Sequence, residues 1–192
     1  MKYTSHIIPR TYAIMSTLES LKDSIHDDAK DLRLNLGSVL SSGSLDAQQR
    51  YAVAYTSALF LHDDALTAAI VAEAGDTLTP EVVSDVRAAA SIMAMNTVYY
   101  RFRHMIGKES YQNRPAGLRM GRMAKPASTK GLFELCSMAC AALAGCELCI
   151  KSHEQSLRHE QFTEDQIHDA VKIAAVMRGF STAKFASMEM VS

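Results

Sequence analysis

Residues 78–102 read LTPEVVSDVRAAASIMAMNTVYYRF, and this stretch decides the fold class. Its apolar residues, Val82 and Val86 among them, recur at a spacing near 3.6 positions, which is typical of one face of an α-helix. Thr79 is a favourable N-cap, and Pro80 suits the first helical position because proline has no N–H to leave unpaired there. The stretch therefore predicts a long amphipathic helix.

A later stretch, residues 162–180, reads FTEDQIHDAVKIAAVMRGF and begins in the same way. Thr163 and Gln166 form a capping-box pattern ahead of a buried stripe. Three pairs of identical residues are 84 positions apart, namely Thr79 with Thr163, Asp85 with Asp169 and Met93 with Met177. Two copies of one helical unit, each burying its apolar face on the other, would produce this pattern.

Strand-like alternation of apolar and polar residues is absent from the sequence, so the predicted fold is all-α. Residues 1–16 are interpreted as an N-terminal extension and residues 17–192 as a single domain. Residues 106–128 are rich in glycine and proline and are predicted to connect a scaffold half, about 17–107, to a second half, about 124–192.

The composition excludes several classes of protein. A net charge of −1 leaves no electrostatic footprint for nucleic acid. No apolar run approaches the roughly 18 residues of a membrane span, and the N-terminus lacks a secretory signal. We therefore expect a cytoplasmic protein that binds neither nucleic acid nor a membrane. In that reducing compartment a close cysteine pair favours redox chemistry or metal binding over a structural disulfide.

Such a pair lies in residues 145–154, GCELCIKSHE. Gly145 is expected to end one helix, which would place Cys146 in the first turn of the next, where free N–H groups favour a thiolate. Cys149 lies one turn further along the same face, and His153 one turn beyond Cys149. The spacing predicts a dithiol beside a base. With an offset of 84, Cys146 corresponds to His62, so the chemistry is expected in the second half only.

One acid interrupts the apolar segment of residues 131–145, GLFELCSMACAALAG. Glu134 either extends to solvent or is buried beside the dithiol. If it is buried, its pKa is expected to rise, and it would act as a proton acceptor or donor.

Zinc binding is an alternative interpretation of the same region. The candidate ligands are Cys136, Cys140, Cys146, Cys149, His153 and His159. Cys136 and Cys140 lie among small apolar residues, where cysteine behaves as a buried hydrophobe. A non-catalytic zinc-binding interaction module nevertheless remains open. A thioredoxin fold is not favoured, because no strand precedes the pair.

The spacing of Glu134, Cys146, Cys149 and His153 resembles that of the AhpD family of alkyl hydroperoxidases, within the carboxymuconolactone decarboxylase-like fold. The resemblance extends from about residue 17 to residue 190. It includes KDLRLNLGSVL, AASIMAMNTVYYRFR, RPAGLRM, FELCSMA and HEQSLR.

This resemblance implies an all-helical, AhpD-like homotrimer that reduces hydroperoxides and regenerates a partner peroxiredoxin, AhpC. It implies electrons from dihydrolipoamide on a lipoylated dihydrolipoamide acyltransferase, with no bound cofactor or metal. By analogy, Cys149 passes through sulfenic acid and Cys146 forms a disulfide with it, while Glu134 and His153 relay protons. A decarboxylase or lactone-handling enzyme of the same wider fold remains an alternative.

The sequence departs from that family at one position. The best-known members have histidine just before the second cysteine, whereas this chain has Leu148. Leucine carries no proton, so water, Glu147 or His153 would have to complete the relay.

Overall fold

The computed structural model describes residues 17–188, which form helices and connecting turns without any strand. Residues 1–16, predicted to be an extension, lie outside the described part. The helices are α1 (Leu18–Asp23), α2 (Lys30–Ser41), α3 (Ala47–Phe60), α4 (Asp64–Ala74), α5 (Pro80–Ile106), α6 (Glu109–Gln112), α7 (Gly121–Ala124), α8 (Lys130–Ala144), α9 (Glu147–His159) and α10 (Glu164–Met188). The all-α prediction is confirmed. Among these helices, none is both long enough and apolar enough to cross a membrane.

The two long helices begin where the sequence predicts. The Thr79 hydroxyl caps α5 by accepting a hydrogen bond from the backbone of Val82, and Pro80 occupies the first turn. The Thr163 hydroxyl likewise accepts from the backbone of Gln166, whose side chain accepts from the Thr163 backbone. A single side-chain hydrogen bond therefore caps α5, and a reciprocal pair caps α10, as the sequence pattern predicts.

The helices form two related halves around one core. The series α3, α4 and α5 recurs as α8, α9 and α10, and each of the long helices α5 and α10 packs against both α3 and α8. Large side chains such as Phe133 and Phe180 are completely buried between them. Neither half encloses this core alone, which explains why the apolar faces of both copies are needed. The boundaries proposed near residues 107 and 124 remain predictions.

Two carboxylates connect the halves in a reciprocal way. Asp85 on α5 accepts from the backbone N–H and the hydroxyl of Ser128, at 2.6 and 2.7 Å. Asp169 on α10 accepts from the same two groups of Ser44, also at 2.6 and 2.7 Å. Each long helix therefore holds the turn that precedes the first helix of the other half. Both the aspartates and the serines are 84 positions apart.

The register of the repeat shifts by one residue between the turn at the cysteine pair and the cap of the following long helix. His62 (φ 57°) after α3 and Gly145 (φ 63°) after α8 take the same left-handed conformation, and Asp63 and Cys146 are the next N-caps. Sixteen positions separate Asp63 from Thr79, whereas seventeen separate Cys146 from the corresponding Thr163. The structural counterpart of Cys146 is therefore Asp63, and the assignment to His62 was wrong because α9 and its turn are one residue longer.

Replacing Asp85 with asparagine is expected to lower the free energy of unfolding by about 2–3 kcal/mol, because hydrogen bonds to a charged group are worth about 1.5–3 kcal/mol. Asp85 is 2% exposed and also accepts from the backbone of Ala127 and from Arg122. An amide would turn N–H groups towards these donors. Urea unfolding at fixed protein concentration measures the change.

Asp169→Asn is the matched control, since Asp169 accepts the same two bonds from Ser44 but has an exposed lysine in place of the arginine and the additional backbone donor of Asp85. Burial raises the pKa of Asp85, but the hydrogen bonds from Ala127, Ser128 and Arg122 outweigh it and lower the pKa overall. The stabilisation is thus present above the unfolded carboxyl pKa of about 3.9 and is lost as pH falls through the folded value. Equal losses in both variants at every pH would contradict this assignment.

Candidate redox site

The cysteine pair lies at the junction of α8 and α9. Gly145 ends α8 in a left-handed conformation, with Cys146 N–H bonded to Ala141 O and Gly145 N–H to Ala142 O. This is the Schellman arrangement that glycine favours. Cys146 is then the N-cap of α9, Cys149 lies in its first turn, and the two form a disulfide with Cα atoms 5.3 Å apart. Disulfides ordinarily span such a distance.

The two cysteines differ in access to solvent. Cys146 is completely buried, whereas Cys149 is 7% exposed and lines a surface cleft. The helix begins at Glu147, one residue later than the position needed to place Cys146 in its first turn. The positive end of the helix dipole therefore acts on Cys149 as well. As the N-cap, Cys146 also lies at this positive end, so the helix dipole does not distinguish the two thiols, whereas their access to solvent does.

Glu134 and His153 form a buried pair between α8 and α9. Glu134 on α8 is 3% exposed and His153 on α9 is 6% exposed, so neither extends to solvent. The distance from His153 Nδ1 to Glu134 Oε2 is 2.6 Å, which is a short, charge-assisted hydrogen bond. The interpretation of Glu134 as a solvent-directed acid is wrong. The structure pairs Glu134 with His153 and Cys146 with Cys149, and Cys149 and His153 line the same cleft.

Lys130 completes this arrangement, and the sequence analysis did not identify it. Its Nζ lies 2.6 Å from Glu134 Oε1 and donates a hydrogen bond to the backbone carbonyl of Met123 at 2.7 Å. Lys130 lies one helical turn before Glu134, a spacing at which lysine and glutamate side chains pair. The sequence therefore contained a signal for this contact. The lysine therefore links the carboxylate to α7.

The pKa of Glu134 shifts in the direction opposite to the sequence expectation. Burial raises it, but hydrogen bonds and charges from His153 and Lys130 outweigh burial, so the pKa is lower than that of an ordinary glutamate. An ionised carboxylate only accepts hydrogen bonds, so Nδ1 of His153 is the donor. The ring nitrogen Nε2 is left to exchange a proton. Glu134 therefore orients the base, and His153 is the candidate base itself.

A cleft of about 400 Å³ opens beside Cys149 and His153. Leu148, which is 42% exposed, lies on its wall. The other walls come from α5 and the α7 region, and none of their residues was identified as functional from the sequence. They are Met93, Asn96, Tyr100, Met120 and Met123.

The remaining cysteines belong to the core. Cys136 is 1% exposed and Cys140 is completely buried. Burial raises the pKa of Cys136 to about 12 and that of Cys140 well above its usual value. Both are therefore neutral thiols with little nucleophilic character. Within residues 17–188, no three histidine, cysteine or acidic side chains are arranged to hold a metal ion, and His159 is exposed at the end of α9.

Known proteins match most of this chain. The carboxymuconolactone decarboxylase family matches residues 109–191. A protein of Anaeromyxobacter sp. strain K is 48% identical over 163 residues, 85% of this chain and 88% of its own length. One of Anaeromyxobacter dehalogenans strain 2CP-C is 47% identical over 88% of this chain and 91% of its own length. One of Rhodospirillum centenum is 43% identical over 86% and 89%. All three are named alkyl hydroperoxide reductase AhpD.

Proposed function

Because this chain belongs to the alkyl hydroperoxide reductase AhpD family, we propose that it is an antioxidant oxidoreductase that reduces hydroperoxides through its Cys146–Cys149 dithiol. The observation that carries this proposal is the position of Cys149, which lies in the first turn of α9 on a cleft that also contains His153. A thiolate needs access, a positive environment and a nearby proton acceptor, and this position provides all three.

In the peroxide step, His153 takes the proton of the Cys149 thiol, and the thiolate attacks the terminal oxygen of the hydroperoxide. The S–O bond forms as the O–O bond breaks, Cys149 becomes sulfenic acid, and the departing alkoxide takes the proton back to leave as an alcohol. The Cys146 thiol then condenses with the sulfenic acid, giving the disulfide and one water.

In the reductive step, dihydrolipoamide reopens the disulfide by thiol–disulfide exchange and becomes oxidised lipoamide. The electron donor is thus a lipoyl group on a dihydrolipoamide acyltransferase, and the protein holds no bound cofactor. The same dithiol regenerates the partner peroxiredoxin AhpC by reducing its disulfide. The protein acts as a homotrimer in the cytoplasm.

This chain has Leu148 at the position where the best-known members have a relay histidine. Of the substitutes considered, the Glu147 side chain is 58% exposed and pairs with Lys151 and His104 outside the cleft. His153 lines the cleft together with Cys149. We therefore assign the proton transfers to His153, held by Glu134, with water as its exchange partner.

Anaerobic stopped-flow mixing of the reduced protein with one equivalent of cumene hydroperoxide tests the proposal. Two thiols per chain should disappear, and dihydrolipoamide should restore both. Unchanged thiols would refute the proposed function. Activity on a lactone or carboxylate substrate that survives alkylation of the cysteines would favour the decarboxylase alternative, and stoichiometric zinc in chelator-free protein would favour the interaction module.

A further inference from the structure

Asn96 has an unsatisfied polar atom at the cleft beside Cys149. Its side chain, on α5, is 5% exposed and lines the cleft. Its Nδ2 donates to the sulfur of Met123 at 3.5 Å, a weak contact. Its Oδ1 is buried and, within residues 17–188, accepts no hydrogen bond.

A buried acceptor without a partner costs about 1–3 kcal/mol, and such groups are rare in native proteins. The Asn96 side chain lines the cleft, so a ligand bound there can supply the missing donor once the amide turns its buried oxygen towards it. Tyr100, Ser152 and His153 add polar groups to the lining, but the thioether side chains of Met93, Met120 and Met123 give the cleft largely apolar walls. Small-molecule sites usually have apolar walls with a few polar groups, and these polar groups fix the orientation of the ligand.

We propose that Asn96 is a positioning residue for the hydroperoxide: its Oδ1 accepts the peroxide O–H while the hydrocarbon part lies against the methionines and Leu148. This inference rests on the proposed function. A hydroperoxide, ROOH, has a single donor, the hydrogen on its terminal oxygen, and this is the oxygen that the Cys149 thiolate attacks.

The proposed contact persists through the reaction. When the thiolate of Cys149 displaces alkoxide, the terminal oxygen and its hydrogen stay together and become the S–O–H of the sulfenic acid. The same hydrogen can therefore remain bonded to Asn96 Oδ1 from bound substrate to product. In this arrangement Asn96 orients the O–O bond in line with the attacking sulfur, and the proton transfers remain with His153.

Leu148 determines which hydroperoxides benefit from the cleft. An apolar, partly exposed side chain next to Cys149 offers contact to a hydrocarbon group and nothing to hydrogen peroxide. The chain should therefore prefer organic hydroperoxides to hydrogen peroxide.

Single-turnover oxidation of the reduced protein tests the role of Asn96, with thiol counting as the readout. Asn96→Leu should lower the second-order rate constant roughly three- to tenfold for cumene hydroperoxide and for hydrogen peroxide alike, because both carry the O–H. Reopening of the disulfide by dihydrolipoamide should stay unchanged, which a purely structural defect would not allow. Asn35→Leu, on the exposed surface of α2, is the matched control. Asn96→Ala replaces Asn96→Leu if the bulkier side chain prevents folding.

Leu148→Ser tests the apolar wall, and the ratio of cumene hydroperoxide to hydrogen peroxide rate constants should fall about threefold or more. Equal rate constants in Asn96→Leu, Asn96→Ala and wild type would overturn the role of Asn96 while leaving the proposed function intact. A reduced wild-type protein that reacts with neither peroxide would instead refute the proposed function.

Discussion

Replacing Cys149 with serine is expected to abolish turnover of cumene hydroperoxide driven by dihydrolipoamide, and replacing Cys146 should do the same. The proposed cycle passes through a disulfide, so each sulfur is indispensable to it. The two variants should nevertheless differ in a single turnover. Cys146→Ser retains the cleft-facing Cys149 and should form one sulfenic acid, which dimedone labels. Cys149→Ser leaves Cys146, Cys136 and Cys140, which are all buried, and should not be labelled.

Cys136→Ala and Cys140→Ala are the matched controls, since each removes one buried sulfur from the core. They should lower stability by about 1–3 kcal/mol and leave the rate close to that of wild type. Wild-type turnover by Cys146→Ser would contradict the dithiol cycle. Dimedone labelling of Cys149→Ser, rather than of Cys146→Ser, would move the peroxide step to Cys146.

The fold was largely predictable because its determinants are local in sequence. The cap and first proline of α5, the capping box at Thr163 and the helix-ending Gly145 each act within a few residues. The repeat was also predictable, because identical residues such as Asp85 and Asp169 recur at a fixed spacing, and they make equivalent hydrogen bonds in the two halves. Its one-residue shift could not be predicted, because it follows from the combined length of α9 and its turn rather than from any residue type.

The grouping of the candidate site residues was predictable from the sequence, but the direction of the Glu134 pKa shift was not. Cys146, Cys149 and His153 are placed together by helical spacing alone, and Glu134 joins them because α8 packs on α9. The direction of the Glu134 pKa depends on Lys130, whose ammonium reaches back one turn to the carboxylate. Burial alone would have raised that pKa. The Asn96 side chain was missed because its relevance depends on the distant α9 and α7 forming a cleft with α5.

Replacing Glu134 with glutamine is the second variant with a large expected effect, a loss of at least about tenfold in dihydrolipoamide-driven turnover with the fold retained. General acid–base assistance is typically worth roughly 10²–10⁴-fold, and the amide leaves His153 in place, so part of it survives. The ionised Glu134 fixes the proton on Nδ1 of His153 at 2.6 Å and stabilises the imidazolium that forms when the thiol is deprotonated. A neutral amide supplies neither the charge nor a single hydrogen-bond direction.

Glu147→Gln is the matched control, because Glu147 lies between the two cysteines with its side chain 58% exposed and paired to Lys151. Glu147→Gln makes the same change of charge near Cys149, but the turnover rate should stay within about twofold of wild type, since exposed ion pairs contribute little. If Glu147→Gln lost as much activity as Glu134→Gln, a general loss of negative charge near the thiol would explain both results. The assignment of Glu134 as the residue that orients His153 would then be contradicted.

The pH dependence separates assistance by the pair from structural damage. As pH rises towards the ordinary thiol pKa of about 8.5, hydroxide forms the Cys149 thiolate without help, so the deficit of Glu134→Gln should shrink. A structural defect would persist at every pH. Turnover and iodoacetamide alkylation should therefore be followed together across a pH series, with circular dichroism as the check on folding. Overlapping profiles for wild type and Glu134→Gln would remove Glu134 from the mechanism and leave His153 as the base without an orienting partner, which the burial of both side chains argues against.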